Sequence, residues 1–95
     1  MTGGQASISS DILARYAADA ANEVDGVRAL VGRRSVRIED GEGALRVELH
    51  VSVDWGAHIP DVGREVQERV REYLGRMADL SPASVDVVVD EVGPA

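Results

Sequence analysis

His50, Asp54, His58 and Asp61 are the residues whose types and spacing first suggest chemistry, because imidazole and carboxylate together suit zinc and related ions. His50 and Asp54 share one strand face if the strand stays regular that far, and His58 falls in the turn beyond it. Two histidines alone leave such an ion short of ligands, and Asp61 serves equally well as the acidic residue of a helix N-terminus. Solvated polar residues are therefore the preferred reading, with no metal and no cofactor expected. Catalysis finds no better footing. The chain has no cysteine, its carboxylates are scattered over wet faces, and neither histidine stands in a recognisable nucleophile motif. No catalytic residue is assigned. Gly41-Glu42-Gly43 lacks the third glycine of a dinucleotide loop, places an acid where phosphate would sit, and reads as a hairpin turn.

Binding is the chemistry that remains. Trp55 is the lone tryptophan in a chain without phenylalanine. A core or core-edge position is the preferred placement for it, and a partner hot spot is the functional alternative. Arg64, Glu65, Glu68, Arg69, Arg71, Glu72 and Arg76 form the polar face of a helix, with Glu65 to Arg69 and Glu72 to Arg76 spaced as ion pairs four apart. The candidate partner-binding residues are Trp55, His58, Ile59, Arg64, Glu68 and Arg71.

The elements that must position these residues are legible from periodicity. Ala6-Ser7-Ile8 reads as a short strand, followed by Ser9 or Ser10 as a helix cap and Asp11 in the first turn. Ile12, Leu13, Tyr16, Ala17, Ala20, Ala21 and Val24 recur at helical spacing, and Asp25-Gly26 ends that helix. Val27, Ala29 and Val31, then Val36 and Ile38, alternate with polar or opposite-facing neighbours as two strands joined at Gly32-Arg33-Arg34. The clearest strand runs from Leu45 to Val53, with Leu45, Val47, Leu49, Val51 and Val53 on its buried side. After Gly56, Pro60 opens a second helix whose apolar stripe is Val62, Val66, Val70, Tyr73, Leu74 and Met77, stopping near Ser81-Pro82. Val85, Val87 and Val89 alternate with Asp86 and Asp90 in a closing strand. The expected fold is a small α+β domain of order strand-helix-strand-strand-strand-helix-strand, with two helices packed on one face of a mixed sheet. Residues 1–5 are expected to be a flexible N-terminus, 6–92 the single domain and 93–95 a C-terminal tail.

Composition bounds the partners. At 95 residues, with 44% hydrophobic and 28% charged, the chain fits one core that is stabilised by packing alone. A net charge of -7, with all ten basic residues arginine, disfavours nucleic acid and bare anionic bilayers unless the arginines cluster. Only Arg33-Arg34 are adjacent. No apolar run approaches the roughly 20 residues that span a bilayer, the start lacks the regions of a secretion signal, and the position after Met1 is Thr2 rather than the glycine that myristoylation needs. The expected location is cytoplasmic, without direct membrane insertion.

Two segments carry a family resemblance. Ile8-Ser9-Ser10-Asp11-Ile12-Leu13-Ala14-Arg15-Tyr16-Ala17 precedes Glu23-Val24-Asp25-Gly26-Val27; Val47 to Val53 leads into Trp55-Gly56, Ile59-Pro60-Asp61-Val62 and Arg64-Glu65-Val66-Gln67-Glu68. Together they resemble the alkaline shock protein family, also called the envelope stress response family, of Gram-positive bacteria. Members usually carry tyrosine where this chain has Trp55. The resemblance implies a non-enzymatic protein-protein interaction module in envelope stress. It also implies a protein partner, such as a small membrane-anchored protein that holds the domain at the membrane periphery, or another copy of the chain. A small-ligand or metal-binding regulator built around His50 and His58, or an RNA-associated protein using Arg28, Arg33, Arg34 and Arg37, are the alternatives.

Overall fold

The computed structural model describes residues 8–94. The order is α1 (Ser10–Asn22), β1 (Val27–Leu30), β2 (Val36–Gly41), β3 (Ala44–Val53), α2 (Ile59–Ala78) and β4 (Ser84–Val92). The α+β expectation holds, with two helices against a mixed sheet. Of the expected opening strand, Ala6 and Ser7 lie outside the described residues, and Ile8 is not in a strand.

Ser9 caps α1: its backbone is extended, and its Oγ accepts the Ile12 N–H at 3.3 Å. Leu13, Ala17, Ala20, Ala21 and Val24 are buried, while Ile12 of the expected stripe is exposed. The alanines let α1 approach closely, and Tyr16 meets Tyr73 of α2 with ring centroids 6.0 Å apart and planes tilted by 60°.

β3 is the central strand. It pairs antiparallel with β1 and β2 and parallel with β4. The link from β3 through α2 to β4 is thus the helical crossover that parallel neighbours require. Leu45, Val47, Leu49, Val51 and Val53 are buried as expected and form the floor of the core. β1 and β2, joined through Gly32-Arg33-Arg34, both lie against β3. The Val31 N–H donates to the His50 carbonyl at 2.8 Å, and the His50 N–H donates to the Ser35 carbonyl at 2.8 Å. The segment between them loops out of one interrupted edge strand. A bulge between Val27 and Ala29 also changes the alternation of β1, so that Leu30, and not Ala29, packs against the core. The β2–β3 hairpin turns on Glu42 and Gly43, both at positive φ (53 and 77°), the arrangement a two-residue turn favours.

α2 buries Val62, Val66, Val70 and Leu74 against the sheet. Pro60 occupies the first helical turn as expected. The helix ends earlier than Ser81-Pro82, because Asp79 adopts the left-handed conformation (φ 57°) and its N–H returns to the Gly75 carbonyl at 3.1 Å. Met77, expected in the apolar stripe, is 46% exposed. In that last turn Ala78, and not Met77, packs against the core.

Candidate docking surface

The turn from β3 into α2 is fixed at its base. The Asp54 N–H donates to the Gly26 carbonyl at 2.8 Å, the Ala57 N–H donates to the Asp54 carbonyl at 3.0 Å, and Gly56 takes a φ of 88°. Ala57 packs inward against the core, whereas Trp55 is 66% exposed and Ile59 is 42% exposed. The core or core-edge placement preferred for Trp55 is therefore incorrect. The chain reverses after Val53, and the turn packs the short Ala57 inward while Trp55 is left outside. Two large apolar side chains are thus presented to solvent from a turn whose backbone is hydrogen-bonded to the α1–β1 junction.

Charged side chains continue the surface along α2. His58 is the N-terminal cap residue by position, with an extended backbone and no side-chain cap bond. Its Nδ1 lies 2.9 Å from Asp61 Oδ2, and Arg64 Nη1 lies 3.4 Å from Asp61 Oδ1. Asp61 thereby links His58 to Arg64 in the first turns. Arg64, Glu68 and Arg71 recur at helical spacing on one polar stripe. Glu68 is exposed and makes no ion pair among the described residues. Arg71 instead donates to the Pro82 carbonyl at 3.0 Å, tying α2 to the segment that leads into β4. Trp55 thus lies in the turn before α2, His58, Ile59 and Arg64 lie in its cap and first turns, Glu68 follows along the helix, and Arg71 makes an architectural contact.

Neither expected pair of acids and arginines four apart forms. Arg69 Nη1 reaches across to Glu23 Oε1 of α1 at 3.1 Å, and the Arg76 guanidinium lies 5.5 Å from the Tyr73 ring centroid. Arg69 thus takes a partner on α1, and Arg76 takes the aromatic ring three residues before it on α2. The suspected metal group is dispersed as well. Asp54 faces Arg28 Nε at 3.8 Å, His58 faces Asp61, and among the described residues no three histidine or carboxylate side chains converge as ligands. Arg33, Arg34 and Arg37 do meet in a shallow groove, but Asp11 and Glu48 line it too, while Arg28 lies elsewhere against Gly93.

The sheet's outward face holds an arrangement that periodicity alone did not expose. His50 Nδ1 lies 2.7 Å from Asp90 Oδ2, and its Nε2 lies 2.7 Å from Glu48 Oε2. With a carboxylate at each nitrogen, the protonated imidazole is favoured: the bond to Glu48 and then the bond to Asp90 raise its pKa above 6.5, against a smaller opposing effect of partial burial. Glu48 and His50 share a strand face by their spacing, which the sequence displays. Asp90 is recruited by the parallel register of β4 and by the bulge that inserts it between Val89 and Glu91. Because the two carboxylates sit at different nitrogens of the ring, the cluster is a hydrogen-bonded bridge and not a chelate.

Comparison with known proteins fits this architecture. YqhY of Bacillus subtilis (strain 168), described as uncharacterized, is 25% identical over 99 residues, covering 88% of this chain and 73% of that protein. A variant of MamM CTD superimposes with a TM-score of 0.63 at 17% identity, covering 90% of this chain and 100% of the other; a copper form of another MamM CTD variant gives 0.62 with the same identity and coverage. At that identity the likeness establishes the fold. A family model matches residues 32–94, from the loop before β2 through α2 to the end of β4, and the chain belongs to the alkaline shock protein 23 family, of cell envelope-related function.

Proposed function

We propose that this domain is a non-enzymatic docking module of the cell envelope, and that it binds a protein partner through the Trp55–Ile59 turn and the adjoining polar stripe of α2. The observation that carries the reading is the pairing of a 66% exposed tryptophan with a backbone that is hydrogen-bonded in place. Large apolar side chains on a preorganised turn lose little conformational freedom on binding, and a desolvated tryptophan is among the commonest hot spots. Covering roughly 150 Å² of Trp55 would contribute about 4 kcal/mol at ~25 cal/mol/Å² before the costs of association. His58, Arg64 and Glu68 would form the polar rim that orients the partner.

The partner best suited to an envelope role is a small membrane-anchored protein, and the resulting location is cytoplasmic and peripheral to the membrane. No helix among the described residues is long and apolar enough to cross a membrane, and the polar face of α2 carries both signs of charge instead of the basic face that anionic lipids attract. A metal-binding regulator is the weaker reading, since His50 and His58 each face their own carboxylates. The test is fractionation of native cells beside liposome sedimentation of the pure protein. Wild type is expected partly in the membrane fraction and Trp55→Ala in the soluble fraction, with neither sedimenting on anionic liposomes. Equal distribution of the two proteins in cells, or liposome binding by the pure wild type, would contradict partner-mediated docking.

A further inference from the structure

β4 is a nine-residue strand that pairs with β3 on one side and, among the described residues, with no strand on the other. An open edge is a template for another chain, and folded proteins usually obstruct it. Here the obstruction is confined to the ends. The Gln67 side-chain amide donates to the Val85 carbonyl at 2.9 Å, Arg71 holds the Pro82 carbonyl at 3.0 Å, and the Asp90 bulge distorts the far end. Between them Val87 and Val89 are only half-buried on the core side, and Val88 is 37% exposed on the outward side.

The charges around this edge select its occupant. Asp86, Asp90 and Glu91 are exposed and lie beside the outward-facing Val88. An antiparallel pairing of β4 with β4 of a second copy, centred on Val88, would set Asp86 opposite Asp90 twice, between molecules that each carry a charge of -7. Like charges directly opposed across strands are destabilising, so these acids act against self-pairing and favour a basic strand. We infer that the β4 edge accepts, by strand addition, an extended segment of a partner protein in which basic residues alternate with apolar ones. Its lysines or arginines lie opposite Asp86 and Asp90, and its apolar side chains cover Val87 and Val89. This surface lies outside the Trp55 turn and does not rest on the docking assigned to it.

The probe is a fluorescein-labelled peptide, Gly-Lys-Val-Thr-Val-Lys-Val-Thr-Gly, titrated with the full chain by fluorescence anisotropy. Saturable binding is expected, weakened at least about tenfold by Asp86→Lys combined with Val88→Lys. A similar loss is expected when glutamate replaces the peptide's lysines or when its central amides are N-methylated, whereas Trp55→Ala should bind as wild type does. Amide shift mapping of the wild-type chain should confine the perturbation to residues 84–92, which keeps the test decisive if the double variant fails to fold. Equal binding of the N-methylated peptide would reduce the contact to charge attraction and overturn strand addition. Absence of saturation up to about 1 mM, perturbations centred on α2, or self-association of the free chain through β4 would also overturn it.

Discussion

Gly26 joins α1 to β1 and supports the docking turn, so adding a single methyl group there tests how the surface is held. Its φ is 98°, its carbonyl accepts the Asp54 N–H, and a Cβ built on it would stand 2.8 Å from Val62 Cγ2 and 3.6 Å from Ala57 Cβ. Gly26→Ala therefore incurs two costs: left-handed backbone strain of about 1–2 kcal/mol, and overlap with the first turn of α2 of about 1–3 kcal/mol. Gly56→Ala incurs only the first, because its φ is 88° and a Cβ there would meet nothing within 4 Å. Urea unfolding followed by circular dichroism should place Gly26→Ala about 2–5 kcal/mol below wild type and Gly56→Ala about 1–2 kcal/mol below it, with unchanged m-values. The difference of about 1–3 kcal/mol isolates the contact with Val62. Equal losses in the two variants would show that α2 does not press on the α1–β1 junction, and the account of a rigidly supported turn would fail with it.

Val66 and Val70 are fully buried, so Val66→Asp or Val70→Asp should leave the domain unfolded or molten, because an unpaired buried carboxylate costs several kcal/mol; an unchanged melting temperature would refute their placement. Glu68→Gln, at an exposed position, should change stability by less than about 1 kcal/mol in the same melting assay. His50 has a folded pKa raised above 6.5 by Glu48 and Asp90, so its stabilising contribution is fully present below pH 6.5 and is lost as pH rises through the folded value. Arg33, Arg34 and Arg37 line the same groove as His50. The urea midpoint of wild type should accordingly fall across that range relative to His50→Gln, and parallel pH profiles would contradict the bridge. Zinc, nickel, manganese and EDTA should leave the melting curve in place, since a native-state ligand at 100 times its Kd would add about 2.7 kcal/mol; a zinc-induced rise removed by His50→Ala and His58→Ala would instead favour the metal-binding reading.

Much of the fold was legible because its burial is local and periodic. The alternation from Leu45 to Val53 and the stripe from Val62 to Leu74 each specify an element and its buried side. What escaped depends on register. The bulge at Arg28 exchanges Ala29 for Leu30, and the segment at Gly32-Arg33-Arg34 that joins the two expected strands loops out of one interrupted edge. Likewise, Asp90 meets His50 only because β4 returns parallel to β3 with an extra residue near its end. Arg69 was readable as a helix-surface charge, yet its partner Glu23 is chosen by the packing of α1 on α2, and Arg76 takes the Tyr73 ring three residues back on its own helix. Trp55 was recognised as distinctive, but its exposure depends on where the chain reverses relative to the end of the sheet, a distance that no local pattern records.

Site-directed photo-crosslinking in native cells tests the central claim most directly. A photoreactive amino acid replaces Trp55 in one strain and Glu42, at the exposed tip of the β2–β3 hairpin, in another. Docking through the Trp55–Ile59 turn predicts a discrete adduct from position 55 that fractionates with the membrane and is missing from position 42. Identical adduct patterns from the two positions, or no adduct from position 55 while the protein remains membrane-associated, would contradict it.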